Sequence, residues 1–237
     1  MNPAPAAIFF DMDGTILDWT TGMEESWLAA CQRHGPDGAL TPAELHAAIR
    51  TRRTWFWDDA ERAYRGRMDL DAASREIVRH AFADLGLGLD SASVAHSLAD
   101  YYRALRLEAI APYPGAIETL EAIRARGIQM ALITNGEARN QRNAVEKHAL
   151  APYFDCIVIE GEFGVGKPDE RVFHHALSAV GSSPEQTWMV GDNLEADIAT
   201  PHRLGMHTVW VDAEARGLPA SAAIQPHRIV RTIAELV

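Results

Sequence analysis

The sequence predicts an α/β protein, a doubly wound, Rossmann-like parallel sheet into which an all-helical domain is inserted. Three features of the 237-residue chain favour this fold class. A short apolar segment near the N-terminus ends in carboxylates, a long block with helical periodicity follows, and apolar strands then alternate with amphipathic helices. Alternating strands and helices form parallel sheets with right-handed crossovers and helices on both faces.

The first apolar segment, Ala6–Phe10, is predicted to be a strand. It is short and uninterrupted, and Asp11 and Gly14 come soon after it. A continuous apolar run of this length is typical of a parallel strand that is buried on both faces. Ligands bind at the carboxyl ends of such strands, so we expect the functional site to begin at Asp11.

The block from about Thr20 to Leu107 is predicted to be helical throughout. Its apolar residues recur at spacings of three and four, as in MEESWLAACQRH and SVAHSLADYYRALRL. Turn-prone residues are predicted to separate its helices, at Gly35–Gly38, Gly66, Gly86–Gly88 and Ser91. We therefore predict two domains, an α/β core of residues 1–18 and 109–237 and a helical domain of residues 19–108.

Strands and helices alternate in the part of the chain that follows Pro112. The strands are predicted at Ile128–Ile133, Cys156–Ile159, Thr187–Val190 and Thr208–Val211. The helices are predicted at Gly115–Arg126, Glu137–His148, Glu170–Val180 and Leu194–Leu204. This order places a helix between each pair of successive strands, as a parallel sheet requires.

The composition is that of a globular protein and argues against several classes of partner. The formal net charge of -11 argues against a nucleic-acid surface, because duplex binding draws on clustered Lys and Arg. Cys31 and Cys156 match no metal-binding spacing and predict neither a disulfide framework nor a zinc site. No segment reaches the roughly 20 apolar residues of a membrane span, and no basic leader precedes the first strand. We expect a cytoplasmic protein, monomeric or homodimeric, that does not bind membranes.

Polar segments follow three of the predicted strands directly. They are DMDGT at Asp11–Thr15, TNG at Thr134–Gly136 and GDNLEAD at Gly191–Asp197. Because the carboxyl ends of parallel strands share one edge of the sheet, these segments are expected to converge into one acidic pocket. A fourth segment, Gly164–Glu170, places Lys167 at the start of a helix, where an anion can meet a cation and backbone amides.

The residue types in this predicted pocket favour magnesium and a phosphate group. Asp11, Asp13 and Asp192 would repel one another without a cation, and hard oxygen ligands without His or Cys select Mg²⁺ rather than zinc. A phosphate dianion that approaches a carboxylate needs positive charge and hydrogen-bond donors. Mg²⁺, Lys167 and Thr134 would supply them, together with the backbone amides around Asp13 and Asn135.

Four segments together resemble a known family. FFDMDGT, ITNG, GKPD and VGDNLEAD are similar, in order, spacing and strand context, to the four signature motifs of the haloacid dehalogenase-like (HAD) hydrolase superfamily. The resemblance covers roughly Ala6–Leu17 and Pro112–Val211. The helical domain resembles the helical cap of that superfamily mainly by its position and helix content. ITNG, EGEFGVGKPDERVF and VGDNLEADI also look like the branch that contains nucleoside monophosphate and acylneuraminate phosphate phosphatases.

The resemblance implies a role for each site residue. Asp11 would attack phosphorus and form an aspartyl phosphate that water then hydrolyses, and Asp13 would act as general acid and then general base. Thr134 and Asn135 would bind the phosphoryl group, and Lys167 would neutralise its charge and hold Asp11. Asp192, Asp11 and the carbonyl of Asp13 would bind Mg²⁺. A further acid, Asp197, would orient Lys167 or a metal-bound water.

The expected activity is hydrolysis of a small phosphorylated metabolite, such as a nucleoside monophosphate or a sugar phosphate. A haloacid dehalogenase is less favoured, because dehalogenases of the superfamily lack the second aspartate, which this chain has as Asp13. A phosphotransferase or phosphomutase that uses the same aspartyl phosphate stays open. From a different class, a catalytically silent phosphate-binding regulatory protein also stays open, although the intact set of acids and Lys167 argues against it.

Overall fold

The structure is a computed structural model that describes residues 5–35, 40–87, 92–222 and 224–237. The chain divides into two compact units. One consists of residues 1–18 and 111–237, here called the sheet unit, and the other of residues 19–110, here called the helical unit. Within the described residues, no helix is both long enough and apolar enough to cross a membrane.

The sheet unit is built on a six-stranded parallel sheet, which confirms the predicted α/β fold class. In the order in which the strands lie across the sheet they are β5 (Cys156–Ile159), β4 (Gln129–Thr134), β1 (Ala7–Phe10), β6 (Thr187–Gly191), β7 (His207–Val211) and β8 (Arg228–Val230). The chain starts at the central strand β1 and builds outward on both sides of it. Such a sheet has a topological switch point beside its first strand, where ligands commonly bind.

Helices connect these strands and cover the sheet. They are α6 (Ala116–Ala125), α7 (Ala138–Lys147), α8 (Glu160–Phe163), α9 (Glu170–Val180) and α10 (Thr200–Arg203). The side chains of Phe9, Ile133 and Met189 on three neighbouring strands pack with Val172 and Phe173 of α9. All residues of β1 and most residues of β4 and β6 are buried. This burial explains why the sequences of these strands are nearly continuous apolar runs.

One predicted helix is wrong in part, because Leu194–Leu204 is not a single α-helix. A π-helical turn spans Leu194–Ala199, and only Thr200–Arg203 is α-helical. Pro201 has no N–H to donate to the carbonyl of Asp197, so the regular hydrogen-bond ladder is interrupted at this point.

The structure also contains strands that were not predicted: β8, and a short antiparallel pair formed by β2 (Leu17–Asp18) and β3 (Ala111–Pro112).

The helical unit contains five helices in the residues that the structure describes. They are α1 (Met23–His34), α2 (Pro42–Trp57), α3 (Ala60–Met68), α4 (Leu70–Asp84) and α5 (Ala92–Ala109). A capping box at Thr41 starts α2. The hydroxyl of Thr41 accepts from the backbone N–H of Glu44, and the carboxylate of Glu44 accepts from the backbone N–H of Thr41. At the centre of the unit the rings of Trp27 and Tyr102 stack with centroids 3.5 Å apart, which ties α1 to α5.

The turn predicted at Gly66 is wrong, because Gly66 lies inside α3 and is buried. A Cβ atom at this position would lie 2.6 Å from the ring of Phe56 and 2.9 Å from the ring of Trp57. The glycine therefore permits close contact between α3 and the end of α2 rather than a change of chain direction. The predicted turns at residues 36–38, at Gly88 and at Ser91 lie outside the described residues.

Candidate active site

The structure brings the polar segments of the sheet unit to one edge of the sheet. Asp11 follows the last residue of β1, and Thr134 is the last residue of β4. Asp192 follows the last residue of β6. Because β1 pairs with β4 on one side and with β6 on the other, the carboxyl ends of these strands are neighbours.

Lys167 lies between two carboxylates at the centre of this edge. Its Nζ donates to Asp11 Oδ1 at 2.6 Å, and Asp197 Oδ1 lies 2.7 Å from the same nitrogen as an ion pair that is not a well-directed hydrogen bond. All three side chains are buried. Charged groups that are removed from water need partners, and each of these groups has at least one opposite charge in contact.

Burial and charge act in opposite directions on these groups. Burial alone would lower the pKa of Lys167, but the carboxylates of Asp11 and Asp197 raise it, so the ammonium group stays charged. For Asp11, burial raises the pKa, the charge of Lys167 lowers it, and the neighbouring Asp197 and Asp192 raise it again. The net direction of the Asp11 pKa is upward, because burial, followed by the two neighbouring acids, outweighs the charge of Lys167.

Asp192 is the third acid of this cluster, and the loop around it is tightly packed. The indole N–H of Trp210 donates to the backbone carbonyl of Asp192 at 2.7 Å. Burial, followed by repulsion from Asp197, raises the pKa of Asp192 to about 7. One carboxylate oxygen from each of Asp11, Asp192 and Asp197 lies within 4.8 Å of the others. A site that keeps several acids this close favours a cation among them.

The donors of this cluster fit Mg²⁺. They are hard carboxylate oxygens, and within the described residues no other group of His, Cys, Asp or Glu side chains has metal-binding geometry. Both oxygens of Asp197 are already engaged, one by Lys167 and the other by the backbone N–H of Asn193 at 3.0 Å. Asp11 and Asp192 are therefore the carboxylates best placed to bind the cation directly, and Asp197 holds the lysine.

Gly14 makes room for Asp192. Its φ angle is +85°, and a Cβ atom on it would lie 2.3 Å from Asp192 Oδ2. We expect Gly14→Ala to displace the Asp192 carboxylate and to lower the free energy of unfolding by more than the roughly 1–2 kcal/mol that a left-handed backbone alone costs a non-glycine residue. Urea denaturation measures the loss.

Gly164→Ala is the matched control for this substitution. Gly164 has a φ angle of +89°, but beyond its two chain neighbours no residue has an atom within 4 Å of the position of its missing Cβ. The Gly164→Ala variant should lose the stability that a left-handed backbone costs alanine, but it should have no clash between the new Cβ atom and another side chain. Equal losses of unfolding free energy in the two variants would show that the contact between Gly14 and Asp192 is not tight.

Asp13 has a different hydrogen-bond partner from the acids that contact Lys167. Its Oδ2 accepts a hydrogen bond of 2.9 Å from Nε2 of Gln141. Burial raises the pKa of Asp13, and the bond from Gln141 lowers it to a smaller extent. A raised pKa is what a general acid requires, because such a group must hold a proton before the reaction. The predicted contact between the Asp13 carbonyl and a metal stays a prediction.

Thr134 and Asn135 form the loop that follows β4. The side-chain amide of Asn135 bonds the backbone of Lys167 on both sides, donating to its carbonyl at 2.7 Å and accepting from its N–H at 2.8 Å. That side chain therefore positions Lys167, and the predicted contact of Asn135 with phosphate is left to its backbone N–H. Thr134 Oγ1 is buried and accepts from Gln141 at 3.2 Å. Its predicted bond to a phosphoryl group stays a prediction.

The sequence did not point to Gln141 or to Glu160. Glu160 is buried directly after β5, and its Oε2 accepts from the backbone N–H of Gly136 at 2.9 Å, which fixes the loop that carries Thr134. Gln141 lies in α7, whose other buried residue is Val145, four positions later. A polar residue in the buried stripe of a helix was the available signal for Gln141.

Comparison with known proteins gives concordant matches. The profile of the haloacid dehalogenase-like hydrolases matches residues 5–205. The N-acylneuraminate-9-phosphatase of Rattus norvegicus is 27% identical over 97% of this chain and 91% of that protein. The phosphoserine phosphatase of Thermus thermophilus is 44% identical, but over only 45% of this chain and 41% of that protein. The crystal structure of the protein YfnB from Bacillus subtilis, bound to magnesium, has a TM-score of 0.74 at 22% identity, and the match covers 98% of this chain and 97% of that one.

Proposed function

The chain belongs to the haloacid dehalogenase-like hydrolases, and from this membership we propose that it hydrolyses a small phosphomonoester through a phosphorylated Asp11. The observation that carries the proposal is the pair of contacts on two nearby aspartates. Asp11 is held by Lys167 at 2.6 Å, and Asp13 is held separately by Gln141 at 2.9 Å. One carboxylate is thus paired with a cation, an environment suited to attack, and the other accepts from a neutral amide, an environment suited to an acid.

The first half of the proposed reaction transfers the phosphoryl group to the protein. An oxygen of Asp11 forms a bond to phosphorus, and the bond from phosphorus to the ester oxygen breaks. Asp13 gives its proton to that oxygen, so the leaving group departs as an alcohol. Lys167 balances the negative charge of Asp11 and of the incoming phosphate, and the hydroxyl of Thr134 donates to a nonbridging oxygen.

The second half releases phosphate. A water oxygen forms a bond to phosphorus while the bond to Asp11 breaks, and Asp13, now a carboxylate, takes the proton of the water. This returns both aspartates to their starting states. Asp197 keeps Lys167 beside Asp11 through both halves, since their charged atoms lie 2.7 Å apart.

Magnesium is the cofactor that we propose for this site. Asp11 and Asp192 would hold it together with the carbonyl of Asp13. When bound, the ion supplies positive charge that lets a dianionic phosphate approach a cluster of carboxylates. The arrangement of the acids supports this assignment, because one carboxylate oxygen from each of Asp11, Asp192 and Asp197 lies within 4.8 Å of the others.

A small phosphorylated metabolite is the proposed substrate class. The similar proteins from Rattus norvegicus and Thermus thermophilus are named as phosphatases of an acylneuraminate phosphate and of phosphoserine, both of which are phosphomonoesters. Their different substrates do not single out one compound for this chain. The predicted cytoplasmic location and the monomeric or homodimeric state stay predictions.

A substrate screen tests the proposal. We expect inorganic phosphate to be released from at least one member of a panel of sugar phosphates, nucleoside monophosphates, phosphoserine and phosphoglycolate. Removal of Mg²⁺ by a chelator should lower the rate by about a hundredfold or more, the scale on which one preorganised charged group acts. Adding Mg²⁺ back should restore the rate.

The products separate the alternatives. A rearranged sugar phosphate without free phosphate would indicate a phosphomutase, and halide release from a 2-haloacid would indicate a dehalogenase. Phosphate binding without turnover of any compound, including a generic aryl phosphate, would indicate a regulatory protein. Each of these results would contradict the proposed hydrolysis.

A further inference from the structure

Gln141 contacts two of the groups that the proposed reaction uses, Asp13 and Thr134. Its Nε2 lies 2.9 Å from Asp13 Oδ2, 3.2 Å from Thr134 Oγ1 and 2.6 Å from the backbone carbonyl of Asn135. The side chain is buried, and a Cβ atom at Gly136 would lie 2.9 Å from the same nitrogen. Gln141 therefore occupies a closely fitted position between the general acid and the phosphate-binding loop.

The surroundings fix which end of the amide faces these groups. A backbone carbonyl and a carboxylate oxygen only accept hydrogen bonds, so the atom of Gln141 that meets them must be the NH₂ group. Helix α7 holds the residue in place. Its first turn is capped by Glu137, whose carboxylate accepts from the backbone N–H groups of Arg139 and Asn140, each at 2.8 Å.

This orientation determines how Asp13 presents its proton. In a protonated carboxyl group the carbonyl oxygen is the stronger acceptor, so the bond from Gln141 to Oδ2 favours the form of Asp13 that carries its proton on Oδ1. The bond also restrains rotation of the carboxyl group. Because Thr134 Oγ1 accepts from the same NH₂ group, the hydrogen of that hydroxyl is left to donate elsewhere.

We propose that Gln141 is a positioning residue that holds Asp13 with Oδ2 engaged and Oδ1 as the atom that transfers the proton to the leaving group. The inference rests on the proposed function, since it takes Asp13 as the general acid. Gln141 acts through Asp13 and does not itself meet the reacting atoms. Gln141 therefore contributes most to the rate with substrates whose leaving group needs a proton.

The test compares two substrates in the Gln141→Met variant, which keeps the chain length and removes the donor. With glycerol 3-phosphate the leaving alkoxide needs protonation, whereas with 2,4-dinitrophenyl phosphate it does not. We expect kcat/KM to fall by about 10- to 100-fold for the first substrate, as for a misplaced catalytic group, and by less than about threefold for the second. The parameter kcat/KM reports the step in which the leaving group departs.

The ratio of the two kcat/KM values distinguishes a specific effect on Asp13 from partial unfolding of the variant. Loss of folded protein, or poorer binding of phosphate through Thr134, lowers both values together and leaves the ratio unchanged. Asn143→Met, on the exposed side of the same helix, is the matched control and should leave the ratio at the wild-type value. A parallel fall for both substrates in Gln141→Met, or no fall in either, would overturn the inference.

Asp13→Asn separates the inference from the proposed function. If Asp13 is the general acid, this variant should lose far more activity on glycerol 3-phosphate than on 2,4-dinitrophenyl phosphate. If it does so while Gln141→Met does not, only the role of Gln141 is wrong. If Asp13→Asn shows no preference between the substrates, the role of Asp13 fails and the inference fails with it.

Discussion

Replacement of Asp11 by asparagine is expected to lower turnover by about five orders of magnitude, the scale on which removal of a nucleophile acts. The amide has the same shape as the carboxylate, and its oxygen still accepts from Lys167, but it does not form a phosphorylated intermediate. Steady-state phosphate release measures the loss. Acid quenching with a radiolabelled substrate should show label on the wild-type protein and none on the variant.

The same substitution should leave the fold intact. Burial and the nearby Asp197 and Asp192 raise the pKa of Asp11, so the charged form of this residue is held against an electrostatic cost. A neutral amide removes that cost and also weakens the pair with Lys167, and the two changes oppose each other. We expect the free energy of unfolding to stay within about 1 kcal/mol of the wild-type value.

Asp155→Asn is the matched control. Asp155 precedes β5, at the opposite edge of the sheet from the candidate site, and its Oδ2 accepts from the backbone N–H of Met130 at 2.9 Å. An asparagine oxygen retains this bond, so activity should be unchanged. Wild-type-like turnover in Asp11→Asn, or an equal loss in Asp155→Asn, would remove Asp11 from its assigned role.

The strand ends of the site could be predicted because their signal is local. A short apolar run that stops at a carboxylate, as at Asp11 and at Asp192, indicates a buried strand and the residue at its carboxyl end. The topology then requires such residues to be neighbours, whatever their distance in the sequence. Lys167 could be predicted for a similar reason, because a lysine followed by proline marks the region just before a helix.

The supporting contacts could not be predicted, because each depends on a partner far away in the sequence. Gln141 contacts Asp13, which lies 128 positions earlier in the sequence. No sequence pattern around either residue indicates this contact. In the sequence, Gly66 is compatible with a turn and with a close contact between helices. The structure shows the second, because the rings of Phe56 and Trp57 leave no room for a side chain at this position. Strand β8, Arg228–Val230, is three residues long and lies at the edge of the sheet, so its apolar pattern is too short to identify.

The second large effect is expected for Lys167→Met, which removes the cation from between Asp11 and Asp197. Breaking a buried ion pair leaves uncompensated charge, so the free energy of unfolding at neutral pH should fall by about 3–5 kcal/mol. Turnover should fall by about a thousandfold, since the charge that meets the phosphate is lost as well. Urea denaturation and phosphate release measure the two effects.

The pH dependence of the loss in stability identifies its cause. In the wild-type protein the charge of Lys167 lowers the pKa of Asp11 against the effect of burial, so in the variant that pKa rises further. A folded-state pKa above the unfolded value means that the folded protein binds the proton more tightly, so the variant gains stability relative to wild type as the pH falls. The deficit should therefore be smaller at about pH 5 than at about pH 7.5. Lys147→Met changes the only other lysine of the chain, which is exposed, so any deficit should be much smaller than that of Lys167→Met and should not depend on pH in this way. A deficit in Lys167→Met that does not change with pH would mean that lost packing, rather than unpaired carboxylate charge, destabilises the protein.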